Sequence, residues 1–204
     1  MYRRLGKRGF DVVAALLLLL AALPMMLFVA LLVRWSLGGP VLFRQMRSGR
    51  DGAAFPLLKF RSMREGAGTD AERLTRLGRV LRATALDELP QLWQVLRGEM
   101  SLVGPRPLLP EYAAHYTPRE ATRLLVRPGL CGLAQARGRN AVRWTERLEW
   151  DARYVERVTF AGDLWIMLRC AWLLLRGHGV SAAGEATMPR LDVTSSRAGP
   201  SASP

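Results

Sequence analysis

The sequence has few cysteine and histidine residues and little acidic charge. Its two cysteines, Cys131 and Cys170, lie far apart, and neither has a second cysteine or a histidine at metal-ligand spacing. This pattern argues against a disulfide framework and a zinc site, and it is typical of a reducing, cytoplasmic environment. The 17 acidic residues are outnumbered by 30 lysines and arginines, which gives a net charge of +13. Most of the excess is arginine, so we expect anionic partners: phosphorylated substrates, anionic lipid or nucleic acid.

The C-terminal stretch is poor in large apolar side chains. From Val180 to the C-terminus the sequence is VSAAGEATMPRLDVTSSRAGPSASP. This composition is too polar to join a hydrophobic core. We therefore expect a disordered tail over 179–204 and a folded chain before it.

One long apolar run lies near the N-terminus, where residues 12–33 carry no charge. The run exceeds the ~20 residues that an α-helix needs to cross a bilayer. It is longer than the apolar part of a usual signal peptide, and no small-x-small cleavage site follows it. We therefore interpret residues 1–36 as a retained membrane segment.

Two features leave the path of this segment through the bilayer open. Pro24 stands near its middle, where a proline removes a backbone hydrogen bond and bends a helix. Basic residues flank both ends, and basic flanks favour the cytoplasmic side. A re-entrant helix that breaks at Pro24 would return both ends to that side, with each arm reaching about halfway through a ~30 Å hydrocarbon core. A spanning helix is the alternative, because proline kinks also occur in such helices.

The rest of the chain predicts a short hairpin and several helices. The segments VLFRQMRSG and AFPLLKFRSM flank the turn sequence RDG, which is typical of a β-hairpin with Lys59 on or just after its second strand. Helical spacing recurs in TDAERLTRLGRVLRA, TERLEWDARYVERVT and DLWIMLRCAWLLLRG. In the last of these, arginines and tryptophans recur seven residues apart. That spacing favours a helix in the membrane interface, with a buried core helix as the alternative.

Two arginines stand out from the basic background. Arg82 ends a stripe of helical arginines next to a pair of carboxylates, whereas the others in the stripe are typical of a solvated or headgroup-facing surface. Arg106 lies between two prolines in SLVGPRPLLPEY, a stiff loop in which a fixed cation can clamp phosphate or simply support the loop. The following VRPGLCGLAQARGRN predicts a flexible segment rich in glycine and arginine.

The carboxylate pair is Asp87 and Glu88, in RATALDELPQLWQVLRG. The local pattern predicts a helix capped by Asp87, with Pro90 in its first turn and Gly98 at its end. The same place suits phosphate chemistry, because a helix N-terminus stabilises an ionised carboxylate and binds phosphate. Two adjacent acids can also hold Mg²⁺ and divide the roles of nucleophile and base. The local pattern leaves both interpretations open.

A larger pattern emerges when the segments are taken in order: KRGFD before the apolar run, LLKFRSM, LRATALDELPQLWQVLRGEMSLVGPRPLLP, RPGLCGLAQARGRN and DLWIM. From about residue 7 to residue 175 the chain resembles the bacterial sugar transferase family of monotopic phosphoglycosyl transferases. The resemblance implies an α+β, mostly helical fold. A Pro-broken re-entrant helix, a short β-hairpin and amphipathic interfacial helices would surround a small catalytic domain over 37–178, on the cytoplasmic face of the bacterial inner membrane.

The resemblance also implies an activity. Members transfer a sugar-1-phosphate from a nucleoside diphosphate sugar, usually a UDP-sugar, to polyprenyl phosphate and release nucleoside monophosphate, the first membrane step of polysaccharide or glycoconjugate synthesis. By similarity, Asp87 is the nucleophile that forms a covalent phosphosugar intermediate and binds Mg²⁺, and Glu88 is a base toward the polyprenyl phosphate. The substrate-binding residues implied in the same way are Lys59, Arg82, Arg106 and Asp163.

The sequence departs from the family pattern at two positions. Leu23 stands where members often have serine before the proline, which leaves the break angle open, and Cys131 replaces a common threonine. The extra membrane helices of longer members are missing, so the chain resembles a minimal catalytic unit. A non-catalytic basic membrane adaptor is the alternative function. No recognition helix accompanies the charge, so we expect no nucleic-acid partner, and a homodimer through interfacial helices is left open.

Overall fold

A computed structural model of the chain describes residues 2–138 and 143–176. The predicted tail over 179–204 lies outside this range. The α-helices are α1 Lys7–Leu37, α2 Asp70–Arg73, α3 Arg76–Thr84, α4 Gln91–Arg97, α5 Pro118–Ala121, α6 Leu133–Gly138, α7 Trp144–Glu156 and α8 Phe160–Leu175. The strands are β1 Leu42–Ser48, β2 Ala54–Phe60, β3 Ser101–Val103 and β4 Gly129–Cys131. The mostly helical α+β class predicted from the sequence is confirmed.

The predicted hairpin is present. Strands β1 and β2 pair antiparallel, and a turn over Arg50–Gly52 joins them. Asp51 and Gly52 adopt φ values of 55° and 76°, the left-handed conformation that a tight connection of this kind requires. The register places Lys59 opposite Phe43, one residue before β2 ends. The hairpin therefore fixes the position of this lysine along its second strand.

A second, parallel sheet was not predicted. Strand β3 pairs with β4, and Gly104 N donates to the Cys131 carbonyl at 2.9 Å. A Cβ on Gly129 would lie 2.0 Å from the nitrogen of Gly104, so only glycine permits this backbone approach. The segment predicted as flexible is thus held by close backbone contacts. Strand β3 of this sheet is only three residues long, which is too short for an alternating pattern to be visible in the sequence.

The predicted helix over TDAERLTRLGRVLRA is two helices. The chain leaves helical geometry at Leu74, whose φ and ψ are −71° and 111°, and α3 begins after Thr75. The Thr75 hydroxyl accepts a hydrogen bond from Gly78 N at 3.0 Å and so caps α3. The regular arginine spacing continues across the break, so Thr75 was not recognised from the sequence as a capping residue.

Helix α1 runs from Lys7 to Leu37 with Pro24 inside it, so no non-helical residues separate its two halves, and the bend predicted at Pro24 stays a prediction. A proline has a fixed φ that a helix accommodates, and it removes only one backbone donor. The face of α1 toward the domain is buried on both sides of Pro24. Ala15 packs in a cluster with α4, and Val29 and Val33 pack in a second cluster with Phe60. The re-entrant path itself stays a prediction.

The remaining surface of α1 is apolar and exposed. The helix is long and apolar enough to cross a membrane by length and composition alone, with a mean hydropathy of 2.9 in its most apolar window. Helix α8 has two distinct faces. Ile166 and Leu173 are buried in the protein, whereas Leu168 and Leu175 are exposed. The core alternative holds for the buried face of α8, and the position of its exposed face in the membrane interface stays a prediction.

A buried carboxylate holds the start of α1 on the domain. Asp163 is fully buried and accepts hydrogen bonds from Lys7 Nζ at 2.7 Å, Tyr2 Oη at 2.8 Å and Tyr154 Oη at 2.9 Å. One helical turn further along α1, Asp11 accepts a hydrogen bond from Ser101 Oγ at 2.7 Å. Charged hydrogen bonds of this kind are costly to break, because a buried partner is left uncompensated.

We expect Asp163→Asn to lower the free energy of unfolding by about 3 kcal/mol, because it leaves the Lys7 ammonium without its nearest counter-charge. Urea unfolding in detergent, followed by tryptophan fluorescence, measures the change. Asp51→Asn, which removes a carboxylate from an exposed ion pair, is the matched control and should change stability little. The double variant Asp163→Asn with Lys7→Met should recover part of the lost free energy of unfolding. If the effects of the two substitutions on that free energy were simply additive, the pairing of Lys7 with Asp163 would be contradicted.

Candidate active site

The carboxylate pair lies in a turn between two helices and does not cap a helix. Helix α3 ends as Ala85 adopts a left-handed conformation, with φ 56° and ψ 18°, and a 3₁₀ turn over Leu86–Glu88 follows. Helix α4 then begins at Gln91, preceded by Pro90, and no side chain caps it. The predicted cap by Asp87 is therefore wrong. The left-handed residue changes the chain direction one turn early, and the carboxylates project from the turn instead of closing the helix.

Glu88 contacts two of the three cations predicted to bind phosphate, Lys59 and Arg106. Its Oε1 accepts hydrogen bonds from Lys59 Nζ and from Arg106 Nη2, each at 2.6 Å. Lys59 Nζ also lies 4.0 Å from Asp87 Oδ2. Strand β2, the 3₁₀ turn and the loop after β3 thus bring four of the predicted residues together. Two cations and two carboxylates share one partly buried site.

The surroundings separate the pKa values of the two adjacent acids. Asp87 is only 5% exposed, and burial raises its pKa to about 6 against the opposing charge of Lys59. Burial alone would raise the pKa of Glu88 too, but the charges and hydrogen bonds of Arg106 and Lys59 outweigh it and hold that pKa well below its usual range. Glu88 in turn raises the pKa of Arg106. At neutral pH both acids are ionised, and within the described part of the chain only Glu88 of the two is hydrogen-bonded to a cation.

Arg82 lies at the edge of the same site. Its Nε donates to Ser62 Oγ at 3.0 Å from the last turn of α3. Burial lowers the pKa of Arg82, and the charge of Asp87 is the largest opposing influence. The predicted proximity of Arg82 to the carboxylates is therefore present, although its hydrogen bond to Ser62 sets its orientation. The guanidinium adds a third positive charge on the side of Asp87.

Asp163 is not among the residues that gather around the pair. The hydrogen bonds described for its carboxylate go to Tyr2, Lys7 and Tyr154, which join α1, α7 and α8. Its burial is explained by this link, in which the charge of Lys7 faces a carboxylate that water does not reach. A role for Asp163 in substrate binding stays a prediction.

Sequence reasoning missed the residues that support Arg106. The Arg123 guanidinium donates to the Arg106 carbonyl at 2.6 Å, and its Nη2 lies 2.9 Å from Asp151 Oδ2. Both side chains of this ion pair are almost completely buried. Their sequence separation of 28 leaves no periodic signal, so only the fold reveals the pair. The rigid contact keeps the loop in place and with it the guanidinium that reaches Glu88.

Gln94 is a second residue that sequence reasoning missed, and its side chain connects α4 to strand β2 of the hairpin. Its side-chain oxygen accepts from Leu58 N at 2.9 Å, and its Nε2 donates to the Pro56 carbonyl at 2.8 Å. The side-chain amide thus accepts from one backbone group of β2 and donates to another, on either side of Leu57. Gln94 is 1% exposed. A buried glutamine on the apolar face of a short helix is a signal that could have found it.

The carboxylates fit a divalent cation only together with further oxygen ligands. Among residues 2–138 and 143–176, no group of three or more histidine, cysteine, aspartate or glutamate side chains is placed to hold a metal. Mg²⁺ prefers one or two carboxylates with water and phosphate oxygens for the rest. Asp87 satisfies that requirement better than Glu88, whose oxygens already accept from two cations. The donor set therefore suits a metal that arrives with a phosphorylated ligand.

We expect Lys59→Met to raise the pKa of Asp87 above its value of about 6, because Lys59 is the cation that most strongly opposes the effect of burial. A rise of about one unit is the typical effect of removing a neighbouring charge. Titration of ¹³C-labelled aspartate by NMR measures it. Arg79→Met, at an exposed position on α3, removes the same charge elsewhere. An Asp87 pKa equal in both variants would contradict the proposed electrostatics.

The chain is similar over most of its length to known sugar transferases. The family model described as "Bacterial sugar transferase" matches residues 2–177. The uncharacterized sugar transferase EpsL of Bacillus subtilis is 43% identical over 190 residues, covering 90% of this chain and 94% of EpsL. The UDP-glucose:undecaprenyl-phosphate glucose-1-phosphate transferase of Caulobacter vibrioides is 44% identical over 187 residues, covering 84% of this chain and 70% of that protein. The undecaprenyl-phosphate galactose phosphotransferase of Salmonella typhimurium is 38% identical over 199 residues, covering 86% of this chain and 42% of that protein. The chain belongs to the bacterial sugar transferase family.

Proposed function

We propose that this protein transfers a sugar-1-phosphate from a nucleoside diphosphate sugar, a UDP-sugar, to polyprenyl phosphate. The products are polyprenyl-diphosphate sugar and nucleoside monophosphate. The observation that carries the proposal is the buried pair in which Glu88 is held by Lys59 and Arg106, while no cation of residues 2–138 and 143–176 is hydrogen-bonded to Asp87. The names of the relatives from Caulobacter vibrioides and Salmonella typhimurium support undecaprenyl phosphate as the acceptor and a sugar phosphate as the group transferred.

In the first step, Asp87 acts as the nucleophile. One carboxylate oxygen forms a bond to the phosphorus that carries the sugar, and the bond from that phosphorus to the bridging oxygen of the diphosphate breaks. Nucleoside monophosphate leaves with the bridging oxygen, and the sugar phosphate is left as an acyl phosphate on Asp87. Splitting one displacement into two is the general advantage of covalent catalysis. The pKa of about 6 keeps this carboxylate ionised at neutral pH.

In the second step, an oxygen of polyprenyl phosphate attacks the same phosphorus, and the bond to Asp87 breaks. Glu88 takes the proton of a singly protonated acceptor. Its pKa is too low for this role while Arg106 and Lys59 are bound to it. Once those cations move onto the substrate phosphates, burial raises the pKa of Glu88 toward that of a useful base. The ion pairs therefore keep Glu88 from acting as a base until phosphate is present.

The cations give the site its selectivity for phosphate. Lys59 and Arg106 approach from two sides of Glu88, and Arg82 adds charge near Asp87. Mg²⁺ held by Asp87 and the diphosphate oxygens would neutralise charge on the leaving group. The arginine between two prolines needs little reorganisation, because the loop that carries it is fixed by Arg123.

The packing of α1 supports a monotopic arrangement at the cytoplasmic face of the inner membrane. If α1 spanned the bilayer, its residues beyond the bilayer centre would lie too far from a domain on one side of the membrane to contact it. Here Ala15 and Val33, on opposite sides of Pro24, both pack against it. Leu89, the neighbour of Glu88, contacts both clusters. A soluble nucleotide sugar and a lipid phosphate can then meet at the carboxylates without either one crossing the bilayer.

We expect Asp87→Asn to abolish sugar-phosphate transfer, because an amide cannot form the acyl phosphate. Protein in nanodiscs with polyprenyl phosphate, Mg²⁺ and a panel of UDP-sugars, assayed for nucleoside monophosphate, measures the loss. Intact-protein mass spectrometry should detect a sugar-phosphate adduct without acceptor, and Asp87→Asn should lack it. Asp51→Asn, at an exposed turn, is the control. Transfer at the normal rate by Asp87→Asn would exclude the covalent mechanism, and inactivity of the unaltered protein with every UDP-sugar would favour a membrane adaptor.

The pH dependence of the first step tests the role of Asp87 separately. Only the ionised carboxylate is nucleophilic, so single-turnover release of nucleoside monophosphate should fall below pH 6, by about tenfold per unit. Glu88 raises the pKa of Asp87 by its negative charge. Glu88→Gln should therefore shift the fall in single-turnover release to lower pH, while Asp87 still reacts. If the fall moved to higher pH or did not move, the effect of Glu88 on the pKa of Asp87 would be contradicted.

A further inference from the structure

A cavity of about 420 Å³ lies between α6, α7 and α8, lined by side chains that the proposed reaction does not use. Among the residues that the structure describes, its lining combines positive charge with aromatic and aliphatic surface and includes no acidic side chain. The charged and aromatic lining residues used below are Arg137, Trp150, Arg153, Arg157 and Trp165. A concave surface of this composition suits a ligand that is anionic at one end and apolar at the other.

The cations and aromatic rings of this cavity alternate in a stack. The Arg153 guanidinium lies 4.8 Å from the ring centroid of Trp150, and that of Arg137 lies 4.7 Å from the same centroid. Arg137 is also 5.6 Å from the centroid of Trp165. Stacking on a ring leaves the edge of a guanidinium, where its N–H groups point, available to an anion.

The three arginines of the cavity differ in their ion pairs. Arg153 Nε lies 2.8 Å from Glu149 Oε1. Across the described ranges 2–138 and 143–176, neither Arg137 nor Arg157 has a carboxylate within ion-pair distance. In the active site, by contrast, both Lys59 and Arg106 are hydrogen-bonded to Glu88. Within those ranges the cavity therefore has positive charge that no ion pair compensates.

The position of the cavity relates it to the bilayer. Trp165 lines it, and the adjacent Leu164 and the following Leu168 are exposed apolar residues of α8. Asp163, next to the lining residue Gly162, is bonded to Lys7, the first residue of α1. The cavity thus lies where two helices with exposed apolar faces begin. Phospholipid headgroups occupy that level at a membrane surface, and arginine and tryptophan favour it.

We infer that this cavity binds the headgroup of an anionic phospholipid, with its phosphodiester on Arg137 and Arg157 and its glyceryl part against Trp150 and Trp165. Inorganic phosphate offers the same charge but has no apolar part to contact the rings. The site is separate from Asp87, so lipid binding does not depend on the proposed transfer reaction. It would fix the height and tilt of α7 and α8 at the bilayer surface.

The test counts lipids on the full chain. Native mass spectrometry of protein released from nanodiscs of phosphatidylcholine with about one-third phosphatidylglycerol gives the number and class of lipids retained. We expect Arg137→Gln with Arg157→Gln to weaken phosphatidylglycerol binding by about 30-fold, the effect of two basic residues near a membrane surface. The matched control, Arg76→Gln with Arg79→Gln, removes the same charge from exposed positions of α3 and should retain the lipid. Arg157→Glu, a single change at an exposed position, gives the same test with less disturbance of the stack.

Several outcomes would overturn the inference. These are equal retention of phosphatidylcholine and phosphatidylglycerol, equal loss in both double variants, or displacement of the lipid by millimolar inorganic phosphate. One-for-one displacement by polyprenyl phosphate would assign the cavity to the acceptor instead. Asp87→Asn should retain phosphatidylglycerol like the unaltered protein, so failure of the transfer mechanism and failure of the lipid site are distinguishable.

Discussion

The site depends on one carboxylate oxygen, Oε1 of Glu88, which accepts hydrogen bonds from Lys59 and Arg106. Three charged groups in a partly buried site are costly to desolvate, and their attraction offsets that cost only when the geometry is fixed. Glu88 gives both cations a hydrogen-bonded partner in the absence of substrate, and among residues 2–138 and 143–176 no cation is hydrogen-bonded to Asp87. In the proposed reaction, phosphate replaces Glu88 as the partner of the cations. Binding of phosphate and activation of Glu88 as a base would then occur together.

The geometry of that oxygen depends on supports that lie further from it. Arg106 is fixed through its carbonyl by Arg123, which is itself neutralised by buried Asp151. Lys59 is fixed because Gln94 bonds β2 on either side of Leu57. Each support is a buried polar group with its partners satisfied, so each tolerates little displacement. Precision at the carboxylates therefore comes from contacts between distant parts of the chain.

The sequence predicts the features that depend on local pattern and misses those that depend on distant contacts. The hairpin and the position of Lys59 on it are confirmed, because strand alternation and turn residues are local signals. The parallel pairing of β3 with β4 was missed, since its strands are short and separated by a long connection. The cap assigned to Asp87 was wrong because the left-handed conformation of Ala85 has no signature in an alanine. Within the site, the family resemblance implied the charged residues near Glu88, but neither it nor the local pattern indicated Arg123 and Gln94, which hold them in place.

Net charge alone does not distinguish the two groups of arginines in this protein. At the carboxylates, Arg106 is partly buried and paired with an acid, so exchange of that acid for another anion keeps its charge paired. At the cavity between α6, α7 and α8, Arg137 stacks on indole rings and keeps its edge free for an anion. The first arrangement favours exchange of one anion for another, which a catalytic cycle requires. The second favours continuous occupancy, which suits attachment to a surface. In these two proposals, burial and the nature of the neutralising partner, rather than the number of positive charges, distinguish the arginine of the reaction from the arginines of the lipid site.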